Sequence, residues 1–221
     1  MAPKKQKTKK RLTPAQQKQN SKRTTWIAIG AIVAIVVIFG VIAASGILGN
    51  NQPEVPPDPI DPTKVLLETS VGNITIDLRI DKPITSTNFI ELVKAGAYDN
   101  TEFYRTMADF MIQGGKGATG GGYPTIKDEI GTNNRNENYT IAMANTGKAN
   151  SASSEFFINV ADNGQRISGF NSAYTVFGTI IDGRDVVDAI ATAPVTENPH
   201  TPGEMSVPVN PVIILRATVL P

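Results

Sequence analysis

Residues Phe103–Gly115 read FYRTMADFMIQGG, and the rest of the chain is best read outward from this stretch. It sets a cation, Arg105, and an amide, Gln113, among Phe110 and Met111. If Phe110–Gln113 is a strand, side chains two apart share a face, so Met111 and Gln113 point the same way. Downstream come AMAN (Ala142–Asn145) and SSEFFINV (Ser153–Val160). A cation, an amide and several large apolar groups suit a reaction with no covalent step. The same pattern also fits plain packing, with Phe110, Met111 and Phe157 in a core and Arg105 in a surface ion pair. Periodicity alone favours packing, because apolar strand residues usually serve it.

On either side lie short β-rich runs. Val65–Glu68 and Ile74–Leu78 alternate in polarity around Thr69–Asn73 and read as a hairpin. Thr101–Thr106, Phe110–Gln113, Tyr139–Ala144, Glu155–Val160, Tyr174–Ile181 and Val212–Leu220 follow as strands. Pro83–Ala95 reads as a helix: Pro83 suits a first turn, Phe89, Leu92 and Val93 recur at helical spacing, and Gly96 ends it. Arg184–Thr192 reads as a second helix, stopping before Pro194. Many strands and two helices predict a mainly β, mostly antiparallel sheet that closes into a barrel.

The N-terminal quarter is different. Residues 1–23 hold nine Lys or Arg and no acid, and the first acid is Glu54. The remaining chain carries 12 basic and 20 acidic residues, a balance of −8. Trp26–Leu48 runs 23 residues without a charge, long enough to span the hydrocarbon core as a helix. A cleaved leader would have a shorter apolar region, although Ala43, Ala44 and Ser45 would suit cleavage. The basic flank predicts a single-pass cell-membrane protein, with residues 1–25 cytoplasmic and everything beyond about residue 49 outside. Asn50–Thr63 (NNQPEVPPDPIDPT) has five prolines and three acids, an extended spacer. The expected organisation is therefore a basic segment (1–25), a transmembrane helix (26–48), a Pro-rich linker (49–63) and one folded domain (64–221).

Several chemistries drop out. The acidic balance of the domain argues against a nucleic-acid partner, since phosphate binding needs a basic face. With no Cys there is no disulfide, thiol nucleophile or Cys-ligated metal. The one His, His200, sits in the Pro-rich ENPHTPGE and reads as a loop residue, which leaves a serine triad without its base. No carboxylate cluster has metal-ligand spacing. Gly115–Gly120 matches GxGxxG, yet Gly121, Gly122 and Pro124 continue a loop where a dinucleotide site needs a helix to begin.

Three segments, FYRTMADFMIQGG, AMANTGKANSASSEFFI and YTVFGTIIDGRDVVDAI, resemble the signature segments of cyclophilins, in the same order. The resemblance covers about Val65 to Val219, and PITSTNFIELV also looks like the family's opening helix. It implies an eight-stranded antiparallel barrel closed by two helices, and peptidyl-prolyl cis-trans isomerisation of Pro-containing polypeptides, without metal or other cofactor. It implies Arg105 as the catalytic residue, and Phe110, Met111 and Phe157 as the walls of a proline pocket. Gln113 would hydrogen-bond the substrate backbone. Ala144 and Asn145 would hold the residues before the proline, Asn145 largely through its backbone. Phe170, where the family usually has Leu, would close the pocket.

Three residues depart from the family pattern. Glu155 stands where Gln is common; a carboxylate cannot donate as an amide does, and pairing with Arg105 would compete with substrate. Gly169 stands where many members carry Trp, which predicts weak binding of cyclosporin-type macrocycles. Tyr174 stands where some have His, keeping an aromatic rim with a polar tip. Glu155 also keeps open a module that binds proline segments with little turnover; a scaffold tethered by its anchor is a third reading.

Overall fold

The computed structural model describes residues 63–117 and 122–221. The basic segment and apolar run expected from the sequence lie outside these residues, as does the linker apart from Thr63. Among the described residues no helix is long and apolar enough to cross a membrane.

Strands β1 (Lys64–Thr69) and β2 (Gly72–Leu78) form the expected hairpin, with a turn of only Ser70 and Val71. Thr69 Oγ1 fastens it, donating to Gly72 O at 2.6 Å and accepting from the Val71 amide. Helix α1 (Pro83–Lys94) follows. Gly96 ends it at φ +67°, and the amides of Gly96 and Ala97 bond back to Val93 O and Leu92 O. These are the two bonds of a left-handed helix stop, where glycine avoids the Cβ penalty. The start of α1 is capped from far along the chain. The Glu129 carboxylate accepts from the amides of Ile84 and Thr85 and from Thr85 Oγ1, and Lys82 Nζ donates to Glu129 O at 2.6 Å.

Next come β3 (Thr101–Glu102), β4 (Arg105–Met107), β5 (Met111–Gly114), β6 (Thr140–Met143) and β7 (Phe156–Asn159). A helical turn, α2 (Asn163–Arg166), and a 3-10 turn (Phe170–Ser172) lead into β8 (Val176–Asp182) and helix α3 (Arg184–Ala191). The chain finishes with β9 (Val195–Glu197), β10 (Met205–Pro208) and β11 (Ile213–Leu220).

Among the described residues nine strands form one antiparallel sheet in the order β3-β11-β1-β2-β8-β6-β7-β5-β4, and β9 and β10 make a separate hairpin. The sequence led us to expect eight strands closed by hydrogen bonds. Instead the ladder has two ends, β3 and β4, and they are consecutive pieces of the run read as one strand, Thr101–Thr106. The run changes partner midway. The Phe103 amide bonds Val212 O on the β11 side, and the Tyr104 amide bonds Gln113 O on the β5 side. One segment thus belongs to both ends of a curled sheet, which the backbone joins where a ladder would have closed it.

Period-two alternation divides the apolar residues between the faces of this sheet. One face supplies the main core: Val65, Leu67, Ile74, Ile76, Phe103, Ile112, Ile141, Phe156 and Ile158. Phe89 of α1 enters it and meets Phe156 edge-on at 5.6 Å between ring centroids. From α3 come Val187 and Ile190. The other face carries a smaller cluster of Met111, Ala142, Phe157, Phe170 and Val176. Strands β6 and β7 are buried along their whole length because both of their faces are covered.

Candidate active site

The smaller cluster marks the site. Register aligns one residue from each of five neighbouring strands: Arg105 opposite Gln113, Gln113 opposite Phe157, Phe157 opposite Ala142, Ala142 opposite Val176. Met111 lies two residues from Gln113 on the same strand, and so on the same face. The packing alternative for this stretch is thereby answered in part. Met111 and Phe157 are buried, but apart from the main core, on the opposite face of the sheet.

Arg105, Phe110, Met111, Gln113, Ala144, Asn145, Phe157, Phe170 and Tyr174 line an open cavity of about 170 Å³. These are nine of the ten residues singled out from the sequence. The tenth, Glu155, lies beside it on a smaller polar cavity of about 110 Å³, shared with Gln113, Ala144, Asn145, Thr146, Ser151 and Ser153. Aromatic rings make the apolar wall. Phe157 stands edge-on to Tyr174 at 5.3 Å, and Phe170 packs on Phe110 at 5.7 Å and Phe157 at 5.9 Å. Gly169 precedes Phe170 at φ +80° and carries no ring to this wall.

The polar groups are tightly committed. Arg105 is half-buried, and its guanidinium grips Glu204 with two bonds, Nε to Oε1 at 2.7 Å and Nη2 to Oε2 at 2.8 Å. The fork holds the Glu204 carboxyl down at about 2 and raises the Arg105 guanidinium above its ordinary value. Arg105 Nη1 faces Met111 Sδ at 3.9 Å, a weak acceptor on the cavity wall. The expected pairing of Arg105 with Glu155 is therefore corrected. Glu155 Oε2 instead accepts from Tyr104 Oη and from Gln113 Nε2, and Gln113 Nε2 also donates to Tyr104 Oη. Burial, and next the Glu155 carboxylate, push the Tyr104 hydroxyl well above its usual range. The side chain of Asn145 is spent locally, donating to Ala173 O at 2.7 Å and accepting from the Gly147 amide at 3.0 Å.

Glu204 escaped the sequence reading. It lies 99 positions from Arg105, in a Pro-rich stretch that reads as a loop. A half-buried guanidinium demands a carboxylate, but nothing local distinguishes Glu204 among 20 acids.

Comparison with known proteins agrees with this geometry. Residues 64–219 match the family model described as cyclophilin type peptidyl-prolyl cis-trans isomerase/CLD. The chain belongs to the cyclophilin family. A peptidyl-prolyl cis-trans isomerase of Streptomyces antibioticus is 40% identical over 168 residues, covering 71% of this chain and 98% of the relative. One from Acinetobacter baylyi is 41% identical over 170 residues, covering 71% and 85%. Among solved structures, a cyclophilin-type isomerase of Cryptosporidium parvum, determined in the presence of the dipeptide Ala-Pro, superimposes with a TM-score of 0.62 at 26% identity. That match covers 72% of this chain and 99% of the other. This cyclophilin is an enzyme, a peptidyl-prolyl cis-trans isomerase.

Proposed function

We propose that this isomerase acts on proteins outside the cytoplasm, tethered by residues 26–48, and that Arg105 is its catalytic residue. The row that sets Arg105 and Gln113 beside the Phe157 pocket carries the reading of the site. The charge asymmetry about the apolar run supports the tether and its orientation.

An X–Pro bond resists rotation because its C–N bond is partly double, with a barrier of about 18–20 kcal/mol. Twisting the bond destroys that resonance and leaves a lone pair on the proline nitrogen. The apolar rings of Phe110, Phe157 and Phe170, with Met111, hold the pyrrolidine. Arg105 donates from its Nη1 edge to the developing lone pair. This bond is weak in the planar state and strong in the twisted one, so it lowers the barrier instead of merely tightening binding. With its Nε2 committed to Glu155 and Tyr104, Gln113 offers its Oε1 to a substrate amide. The Asn145 side chain is occupied, which leaves its backbone to hold the chain before the proline.

NMR exchange between the cis and trans forms of an Ala-Pro peptide measures this directly. Arg105→Ala should cut catalysed exchange by about a hundredfold or more, the usual worth of one transition-state donor, while the fold persists. Full activity in that variant would refute the assignment. Tags at either end, tested for protease access in intact cells, check the orientation: an accessible N-terminus would overturn it.

A further inference from the structure

We propose that Glu204 is the positioning residue for Arg105, holding the guanidinium in the one orientation that turns its Nη1 edge to the proline nitrogen. The inference rests on Arg105 being the catalytic residue. A guanidinium has five N–H donors in a rigid plane. The fork to Glu204 takes Nε–H and one N–H of Nη2. It thereby fixes the plane and leaves three N–H groups, one on Nη2 and both on Nη1, with Nη1 beside Met111 on the cavity wall.

Glu204 is itself held from several directions. Ser206 Oγ donates to Oε1 at 2.6 Å, and Asn198 Nδ2 reaches the same oxygen at 3.3 Å. The Asn198 amide bonds Glu204 O at 2.7 Å, and the Glu204 amide bonds Thr201 O at 3.0 Å. Asn198 Oδ1 accepts from the His200 amide, and Glu197 Oε1 accepts from the Gly203 amide at 2.7 Å. Ser206 is fully buried. The β9–β10 hairpin packs against β4, the strand that begins with Arg105. A loop rich in Pro and Gly is thus stiffened by its own side chains around one carboxylate, and that carboxylate ends on the reacting cation.

Two physical effects oppose each other. An arginine side chain loses rotamer entropy when fixed, and the fork fixes it before substrate arrives. Against this, a carboxylate at 2.7 Å offsets part of the positive charge that catalysis uses. Positioning predicts that removing the carboxylate slows turnover; competition predicts the reverse. The two differ in sign, so one experiment separates them.

The full chain is prepared as wild type, Glu204→Gln, Glu204→Asp and Arg105→Ala. Catalysed exchange on an Ala-Pro peptide is measured against peptide concentration, to separate kcat from KM. The side-chain Nε–H signal of Arg105 is followed by ¹H–¹⁵N NMR and assigned by its loss in Arg105→Ala. The expected result is a kcat for Glu204→Gln lower by about tenfold to a hundredfold, the range that misplacement by an ångström produces, with KM within about twofold, less than one hydrogen bond is usually worth. Glu204→Asp should lie between Glu204→Gln and wild type. The wild-type Nε–H signal should be shifted and slow to exchange, and both properties should be lost in Glu204→Gln. An equal or higher kcat in Glu204→Gln overturns the proposal. So does a rapidly exchanging, unshifted Nε–H in the wild type, a test that does not depend on any Glu204 variant folding. Arg105→Ala with full turnover overturns the reading of the site beneath it, and is distinguishable because that result does not involve Glu204.

Discussion

At Glu155 a single carboxylate reshapes the residue next to it. A Gln at this position could donate to its neighbours, whereas Glu155 accepts from both Tyr104 and Gln113. That fixes which end of the Gln113 amide faces the cavity. Glu155→Gln should therefore weaken substrate binding and leave turnover near wild type. KM should rise about twofold to tenfold, the worth of one hydrogen bond, as read from exchange kinetics at varied peptide concentration. The same substitution should lower the Tyr104 titration, while burial keeps it above the ordinary 10.0; ultraviolet absorbance against pH reports it. Glu204 gives a second pH signature. Its carboxyl falls from an ordinary 4.5 to about 2 on folding, chiefly through the Arg105 hydrogen bonds. A depressed acid stabilises the fold above its unfolded value, and the effect fades as pH drops toward the folded value. Wild type should exceed Glu204→Gln in stability by about 2 kcal/mol near neutrality, discounted for partial exposure, and the gap should vanish between pH 4.5 and about 2. Denaturant titrations at several pH values measure it. Of the cavity residues, Arg105, Phe110, Met111 and Gln113 were legible because one short stretch, Phe103–Gly115, holds them together, whereas Ala144, Asn145, Phe157, Phe170 and Tyr174 were legible only through the resemblance of the later segments. The ion pair was not, because its partners meet only where the separate β9–β10 hairpin packs against β4.

Elements with local signals were read to within a residue or two. Helix α1 carries its own start and stop in Pro83 and Gly96, and the β1–β2 hairpin carries its alternation. What failed was the assignment of partners. Thr101–Thr106 has strand character throughout, yet the switch between Phe103 and Tyr104 depends on which neighbour each amide meets. The β9–β10 hairpin, short and interrupted by Pro and Gly, offered no alternation to detect. The cap on α1 is equally non-local, since Glu129 lies 44 residues beyond Thr85. Glu129→Ala removes three acceptor contacts at the helix start, and should cost about 1–3 kcal/mol of stability with little change in turnover. Gly72→Ala tests the packing of α3. An added Cβ would stand 2.6 Å from Val186 Cγ2, at a φ of +142° that L residues rarely adopt. The expected loss is about 1–3 kcal/mol, read as a lowered melting temperature.

The whole molecule joins a basic N-terminal segment and an apolar run to an acidic catalytic domain. If residues 26–48 tether it, a chain beginning at residue 49 should leave the membrane fraction for the soluble one, with unchanged turnover on short peptides. Retention in the membrane fraction would point to a second means of attachment. The position of β11 governs something else. It is the last segment of the chain, yet it lies between β3 and β1, pairing with the first strand and with the one that leads into Arg105. During synthesis the sheet has a gap between β3 and β1 until Ile213–Leu220 emerges, and contacts that span the whole domain form slowly. The sheet that frames Arg105 is therefore completed only once this domain's last strand has been made.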